Sequence, residues 1–220
     1  MRRLHVLTAT ASVLLLAACA GGMGMGGGGT NNLSFFVTSS NPGKGADFGG
    51  LAGADQYCQS LATAAGAGGK TWRAYLSATG ATPVNARDRI GRGPWYNATG
   101  TMVAANVDEL HGTNQLSKVT ALTEKGEGVM GRGDAVNMHD VLTGSTPDGR
   151  ATAGGTADTT CGNWTKSGEG SAIVGHHDRM GLNEEPPAKS WNSSHGSRGC
   201  GLDALKATGG DGRLYCFAAN

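Results

Sequence analysis

This chain combines many glycines with a few widely spaced cysteines. Glycine occupies 39 of the 220 positions, while only 16% of the residues are charged. This composition predicts many turns and irregular loops rather than long helices. Such a chain loses much conformational entropy on folding, so we expect covalent cross-links to contribute to its stability.

The first 18 residues have the features of a cleaved export signal, and they are excluded from the fold. Arg2 and Arg3 supply positive charge, and residues 4–16 form a short apolar stretch. A membrane-spanning helix needs about 20 apolar residues, and this stretch is shorter. We therefore predict a signal peptide over residues 1–18.

The motif Leu16-Ala17-Ala18-Cys19 ends this segment. It resembles the lipobox of bacterial lipoproteins, in which the cysteine takes a diacylglyceryl group and becomes the new N-terminus. The resemblance implies a lipid-anchored protein of the bacterial cell envelope that associates with a membrane through Cys19. Lipoproteins retained at the inner membrane have Asp after this cysteine, and Ala20 therefore favours the outer membrane. The alternative is an ordinary secretory signal in which Cys19 has no role.

A glycine-rich segment follows the predicted lipid attachment site. Residues 21–29 are glycine except for Met23 and Met25, a composition that is typical of a flexible spacer. We predict that residues 19–33 comprise the lipidated cysteine and its tether. Residues 34–220 then form one domain that is long enough to bury a core.

The charge balance of the mature chain gives no electrostatic basis for binding nucleic acid. Loss of Arg2 and Arg3 with the signal leaves 16 of the 18 basic residues against 17 acidic ones. A nearly neutral domain lacks the basic surface that such binding requires. We therefore expect no nucleic-acid partner.

Four cysteines remain if Cys19 carries lipid, namely Cys58, Cys161, Cys200 and Cys216. An even number in an oxidising compartment predicts two disulfides. Four cysteines allow three pairings, and the sequence alone does not choose among them. The alternative, a zinc site, lacks the C-x-x-C pair that is typical of such sites.

The hydrophobic pattern predicts one main helix near the start of the domain and short strands elsewhere. Apolar residues from Leu51 to Ala65 recur at helical spacing and place Cys58 on the buried face. A helical turn is predicted over residues 85–90. Strands are predicted at residues 33–38, 72–77, 172–174, around 190–192, and at 214–217. Short strands, one main helix and long loops indicate the α+β class.

Several motifs, taken in order, resemble the C-type-lectin-like fold and, within it, the endostatin domain of certain collagens. They are Gly53-Ala54-Asp55-Gln56-Tyr57-Cys58, Trp72-Arg73-Ala74-Tyr75-Leu76-Ser77, Ala86-Arg87-Asp88-Arg89, Val107-Asp108-Glu109-Leu110, residues 142–150, Thr160-Cys161-Gly162-Asn163-Trp164 and Leu214-Tyr215-Cys216-Phe217. The resemblance is patchy and extends from about Phe35 to Phe217. The segment from Trp191 to Cys200 is also similar to uncharacterised domains of bacterial lipoproteins.

The resemblance implies two nested disulfides, Cys58–Cys216 and Cys161–Cys200, of which the first ties the front helix to the last strand. By fold analogy it also implies a non-catalytic domain that binds a glycan or a protein. Two alternatives remain. One is a structural envelope protein without a specific ligand. The other is an enzyme similar to the formylglycine-generating enzymes, whose reactive cysteines would have to be free.

Sugar-binding members of the lectin-like family use a Glu-Pro-Asn-like loop and a Trp-Asn-Asp strand. The nearest segments here are Asn183-Glu184-Glu185-Pro186-Pro187 and Trp191-Asn192-Ser193. The candidate ligand residues are therefore Asn183, Glu184, Glu185, Trp191 and Asn192. Ser193 replaces an acidic residue and no Asn follows the prolines, so oxygen ligands for calcium are missing. We predict no cofactor, with calcium as the alternative.

Two histidine-containing segments were considered for metal binding or catalysis. His176-His177-Asp178 contains metal-ligand side chains, but adjacent residues of a strand point to opposite faces, so we predict no metal site there. His195 lies among Ser193, Ser194 and Ser197, but no nucleophile elbow accompanies it. We predict no catalytic residue.

Two further groups of side chains have both a binding and a structural interpretation. Arg73, Arg87, Arg89 and Arg92 correspond to the arginine-rich, heparin-binding face of endostatin, but acidic residues balance them overall. We expect these arginines to form a solvated surface. The Trp95-Tyr96 pair could stack on sugar rings, but we predict that it belongs to the core.

Overall fold

The computed structural model describes residue 1, residues 32–153, residue 155 and residues 157–220. Cys19, the rest of the predicted signal after Met1, and the tether up to residue 31 lie outside the described residues. Within the described part of the chain, no helix has both the length and the apolar character needed to cross a membrane.

The described chain is a mixed α+β structure, in agreement with the predicted class. The strands are β1 (Phe35–Val37), β2 (Trp72–Ala74), β3 (Trp95–Tyr96), β4 (Met102–Ala104), β5 (Asp140–Leu142), β6 (Ile173–His176), β7 (His195–Gly196) and β8 (Gly210–Ala218). The helices are α1 (Gly50–Ala64), α2 (Ala86–Arg89), α3 (Val107–Leu110), α4 (Cys161–Trp164) and α5 (Leu202–Thr208), with a 3₁₀ turn at Pro187–Lys189.

The long last strand, β8, organises the main sheet of six strands. It pairs antiparallel with β1 and β2 and parallel with β5. Beyond β5 the sheet continues through β6 to β7 by antiparallel pairing. The first strand therefore lies beside the last, and three strands from the second half of the chain form the other edge.

Side chains that alternate along β8 separate two hydrophobic clusters. Leu214 and Cys216 pack in one cluster with α1, whereas Tyr215 and Phe217 pack in the other. Successive residues of a strand point to opposite faces of the sheet, so both faces of β8 are buried. The second cluster contains Trp95, as predicted, while Tyr96 is only partly buried.

The front helix forms where the apolar spacing predicts it. Its buried apolar residues Ala54, Cys58 and Ala62 are four positions apart and share one face. The helix ends before Gly66, whose φ of +77° suits glycine. It packs against β2 and β8, and this contact places Cys58 beside the centre of β8.

Two disulfides connect parts of the fold that are distant in sequence. Cys58 pairs with Cys216 and Cys161 pairs with Cys200, each with a Cα–Cα distance of 5.6 Å. These are the nested pairs that the resemblance implies. The first joins residues 158 positions apart and the second joins residues 39 positions apart. By restricting the unfolded chain, they contribute at most about 5 and about 4 kcal/mol to the free energy of unfolding.

Two expectations from the sequence are wrong. Residues 190–192 do not form a strand, and Trp191 and Asn192 are bends, because the Ser190 hydroxyl accepts the Ser193 backbone N–H at 2.9 Å and turns the chain. The arginines do not share one solvated surface. Arg92 is exposed, but Arg89 is largely buried in an ion pair with Asp55.

Candidate functional site

The candidate site lies where β5, β6 and β7 run side by side. Asp140 begins β5 and pairs in register with His176, the last residue of β6. His139 precedes Asp140, and His195 begins β7 opposite Val174. The pairing of these three short strands thus gathers three imidazoles and one carboxylate, here called the histidine–aspartate cluster (His139, Asp140, His176 and His195).

The four side chains converge on one carboxylate oxygen. The Nε2 atoms of His139 and His176 each lie 3.2 Å from Asp140 Oδ1, and His195 Nε2 lies 3.5 Å from it. The Nε2 atoms of His176 and His195 are 3.0 Å apart. The rings of His139 and His176 stack almost parallel, with centroids 4.0 Å apart.

Three members of the cluster are buried, and the fourth reaches the surface. His139 and Asp140 are 3% exposed and His176 is 4% exposed, whereas the side chain of His195 is 39% exposed. No described group donates a hydrogen bond of good geometry to either oxygen of Asp140. Burial raises the pKa of Asp140, but the adjacent imidazoles of His176 and His195 outweigh burial and lower it, so the carboxyl is anionic.

The outer nitrogen of each imidazole is held by an oxygen. Nδ1 of His139 lies 3.2 Å from Asp178 Oδ1, Nδ1 of His176 lies 2.7 Å from the Ala188 carbonyl, and Nδ1 of His195 lies 3.2 Å from the Gly196 carbonyl. These contacts orient the three rings so that each Nε2 faces Asp140.

Asp178 is itself fixed in place as the partner of His139. Its carboxylate accepts hydrogen bonds from the backbone N–H groups of Arg132 and Met180, at 2.7 and 3.0 Å. Burial raises the pKa of Asp178, but the hydrogen bonds from His139 and these backbone groups lower it well below its usual range. A stable anion therefore orients the His139 ring.

A cavity of about 370 Å³ opens above the cluster. The imidazoles of His139, His176 and His195 form part of its wall. The remaining wall includes Arg132, Asn137, Leu182, Asn183, Glu185 and Thr208. The cluster is thus reachable from solvent through this cavity.

The structure divides the predicted ligand residues into two groups. Asn183 and Glu185 line the cavity, and the exposed Glu184 contacts Lys189 beside them. Trp191 and Asn192 are instead buried. The Asn192 amide donates inward to the Tyr75 hydroxyl at 2.9 Å, so these two side chains support the core below the cavity.

The adjacent histidines His176 and His177 lie in different surroundings. His176 joins the cluster, whereas His177 points away and lies 3.3 Å from the Met130 carbonyl. Burial lowers the pKa of His177 to about 4. The adjacent histidines therefore do not converge, as predicted, but His176 meets His139 and His195 from other elements.

Sequence reasoning missed His139 and Asp140. The available signal was a His-Asp pair immediately before the apolar residues Val141 and Leu142. Ser197, one of the serines near His195, donates to the Gly199 carbonyl at 2.8 Å and supports the loop.

Comparisons with protein-family models and with curated proteins find no match to this chain.

Proposed function

We propose that this chain is a lipid-anchored protein of the bacterial envelope whose C-type-lectin-like domain binds a ligand, without catalysis, in the cavity above the histidine–aspartate cluster. The lipobox resemblance at Cys19 supports the anchor and the outer-membrane location. The cavity supports binding, because ligand sites are concave and contain a few convergent polar groups.

The endostatin-type fold is proposed on three features of the described chain. The first and last strands pair, the front helix is bridged to the last strand, and a second disulfide is nested inside the first. These features agree with what the motif resemblance implies. They concern topology, and they do not identify a ligand.

The observation that carries the binding function is the placement of four ionisable side chains beneath an open cavity. Burying such groups without partners costs free energy, so a domain that supplied only bulk would gain nothing from them. The enzyme alternative requires free thiols. All four cysteines of the described chain are instead in disulfides.

The lining of the cavity favours a protein ligand over a glycan. Among the described residues that line it, there is no Trp, Tyr or Phe side chain to stack on a sugar ring. Leu182 lines the cavity and is 86% exposed, which suits contact with an apolar side chain of a partner. Glycans remain the second ligand class.

A ligand screen tests this proposal. Full-length mature protein, extracted in detergent, is screened against envelope proteins and a glycan array, with and without calcium. We expect a reproducible hit that Leu182→Asp abolishes and Val119→Asp leaves intact, because Val119 is similarly exposed but does not line the cavity. No hit in either panel, or equal loss in both variants, would exclude the cavity as the ligand site.

The anchor is tested separately. We expect the intact mass of the mature N-terminus to include acyl chains on Cys19, and Cys19→Ser to move the protein from the membrane fraction to the soluble fraction. More than one lipid chain is needed for stable attachment. An unmodified Cys19 in membrane-associated protein would contradict the lipid anchor.

A further inference from the structure

We propose that the histidine–aspartate cluster binds one divalent first-row transition-metal ion, with zinc the best fit. The ligands are Nε2 of His139, His176 and His195 and a carboxylate oxygen of Asp140. This inference goes beyond the proposed function, because metal binding at the cluster does not require a larger ligand in the cavity.

The first argument is that a buried carboxylate and three imidazole nitrogens converge. Neither oxygen of Asp140 has a hydrogen-bond partner among the described residues, and a buried polar atom without a partner costs free energy. The Nε2 atoms of His139, His176 and His195 lie 3.2, 3.2 and 3.5 Å from Asp140 Oδ1. A cation bound among these four atoms would supply the missing partner.

The second argument is the spacing of the ligand atoms. Zinc bonds of about 2.0–2.1 Å in a tetrahedron place the ligand atoms about 3.3–3.4 Å apart. The contacts of Asp140 Oδ1 with the three imidazoles are 3.2, 3.2 and 3.5 Å. Ligand atoms of His139, Asp140 and His176 all lie within 4.8 Å of one another. His195 lies outside that group of three, but it contacts His176 and Asp140 from the solvent side and is assigned as the fourth ligand.

The third argument is the support around the imidazoles. Metal-binding histidines usually donate their other ring N–H to a carboxylate or a backbone carbonyl. Nδ1 of His139 lies beside the Asp178 carboxylate, and Nδ1 of His176 and Nδ1 of His195 lie beside backbone carbonyls, to which a ring N–H can donate. The carboxylates of Asp140 and Asp178 together carry two negative charges, which balance the two positive charges of a divalent ion.

The donor set also selects the class of metal. Imidazole nitrogen suits zinc, copper, iron and nickel, whereas calcium requires six to eight oxygen ligands. Three nitrogens and one carboxylate therefore favour a transition metal over calcium. The cavity gives the ion a path from solvent to the exposed ring of His195.

The test uses the full-length mature protein in detergent, stripped with a chelator and then titrated with zinc sulfate or cobalt(II) chloride. We expect one ion per chain after dialysis and the intense visible absorption of four-coordinate cobalt. These two results need no variant. Stoichiometry near zero in the wild-type protein would overturn the proposal and leave protonated histidines as the explanation of the cluster.

Variants then assign the ligands. Asp178→Asn, which alters the support of His139 without removing a ligand, should weaken zinc binding about 10–100-fold. Asp140→Asn and His176→Gln should weaken it further. His195→Ala should retain binding but change the cobalt spectrum. His111→Gln, at a histidine outside the cluster, should bind zinc as the wild type does.

The pattern of losses decides the outcome. Equal zinc affinity in the wild type and Asp140→Asn would show that the ions bind elsewhere and would overturn the assignment. Zinc binding without any hit in the ligand screen would retain the metal centre and reject the proposed ligand site. A ligand hit together with zero zinc stoichiometry would support the ligand site and reject the metal centre.

Discussion

Arg89 on α2 binds both carboxylate oxygens of Asp55 on α1, with N–O distances of 2.7 and 2.6 Å. Asp55 also accepts the backbone N–H of Ala74 at 3.0 Å. The Asp55 and Arg89 side chains are 11% and 12% exposed. One carboxylate therefore joins the front helix, β2 and the helical turn that follows.

Replacing Asp55 should destabilise the protein strongly. Removing one partner of a buried ion pair leaves the other charge uncompensated, at a cost of about 3–5 kcal/mol. We expect Asp55→Asn to lower the free energy of unfolding in urea by that amount. Arg150→Gln removes the exposed pair with Asp148 and should cost less than about 1 kcal/mol. Similar losses in the two variants would contradict a structural role for the buried pair.

The sequence predicted α1 and the buried position of Cys58, because apolar residues at helical spacing identify a face without knowledge of its partner. It did not predict that Arg89 would be buried. Arg89 lies 34 positions after Asp55, and the contact depends on how α2 packs against β2. The prediction of a solvated arginine surface came from the overall charge balance. That balance does not show which acidic and basic side chains, such as Asp55 and Arg89, form a buried ion pair.

The two disulfides should differ in their effect on stability. The Cys58–Cys216 bridge spans 158 positions and the Cys161–Cys200 bridge spans 39, and the entropy lost by the unfolded chain grows with that separation. We expect Cys58→Ala with Cys216→Ala to lower the unfolding free energy more than Cys161→Ala with Cys200→Ala. Each loss should be about 2–5 kcal/mol. Urea titrations of both double variants measure it, and a larger loss for the shorter loop would contradict the entropic explanation.

Gly175 of β6 should not tolerate a side chain. A Cβ atom there would lie 1.9 Å from the Trp191 carbonyl oxygen, which is held by the Tyr215 hydroxyl at 2.9 Å. We expect Gly175→Ala to lower the unfolding free energy by about 1–3 kcal/mol because the backbone must shift. Gly69→Ala is the matched control, since a Cβ there meets no atom within 4 Å. Equal stability of the two variants would show that the 191–192 segment can move away.

The candidate site was only partly predictable for a related reason. His176 and His195 were recognised as chemically capable residues, and the Asn183–Glu185 loop does border their cavity. His139 and Asp140 joined them only because β5 lies between β8 and β6 in the sheet. That order includes a parallel pairing with the last strand, and local patterns do not determine such long-range pairing.

Stability should fall in mild acid because of His111, which lies outside the histidine–aspartate cluster. Burial lowers the pKa of His111 below its ordinary value of 6.5, and Arg87 lowers it further, while the Val107 carbonyl, Asp148 and Asp108 oppose that shift. The ring binds the Val107 carbonyl through Nδ1 and the Tyr75 hydroxyl through Nε2, both at 2.7 Å. With Nδ1 protonated, Nε2 accepts from Tyr75, and a second proton would remove that acceptor.

The sign of the effect follows from the lowered pKa. The unfolded chain binds the proton near pH 6.5 and the folded chain only at lower pH, so the stability from neutral His111 is complete above pH 6.5. It is lost as the pH falls below that value, by up to about 1.4 kcal/mol per pH unit, until the folded form also protonates. We expect urea unfolding at pH 7.5 and 5.5 to show a smaller loss for His111→Gln than for the wild type. The difference isolates His111 from the other histidines, and identical losses would mean that its protonation is not coupled to folding.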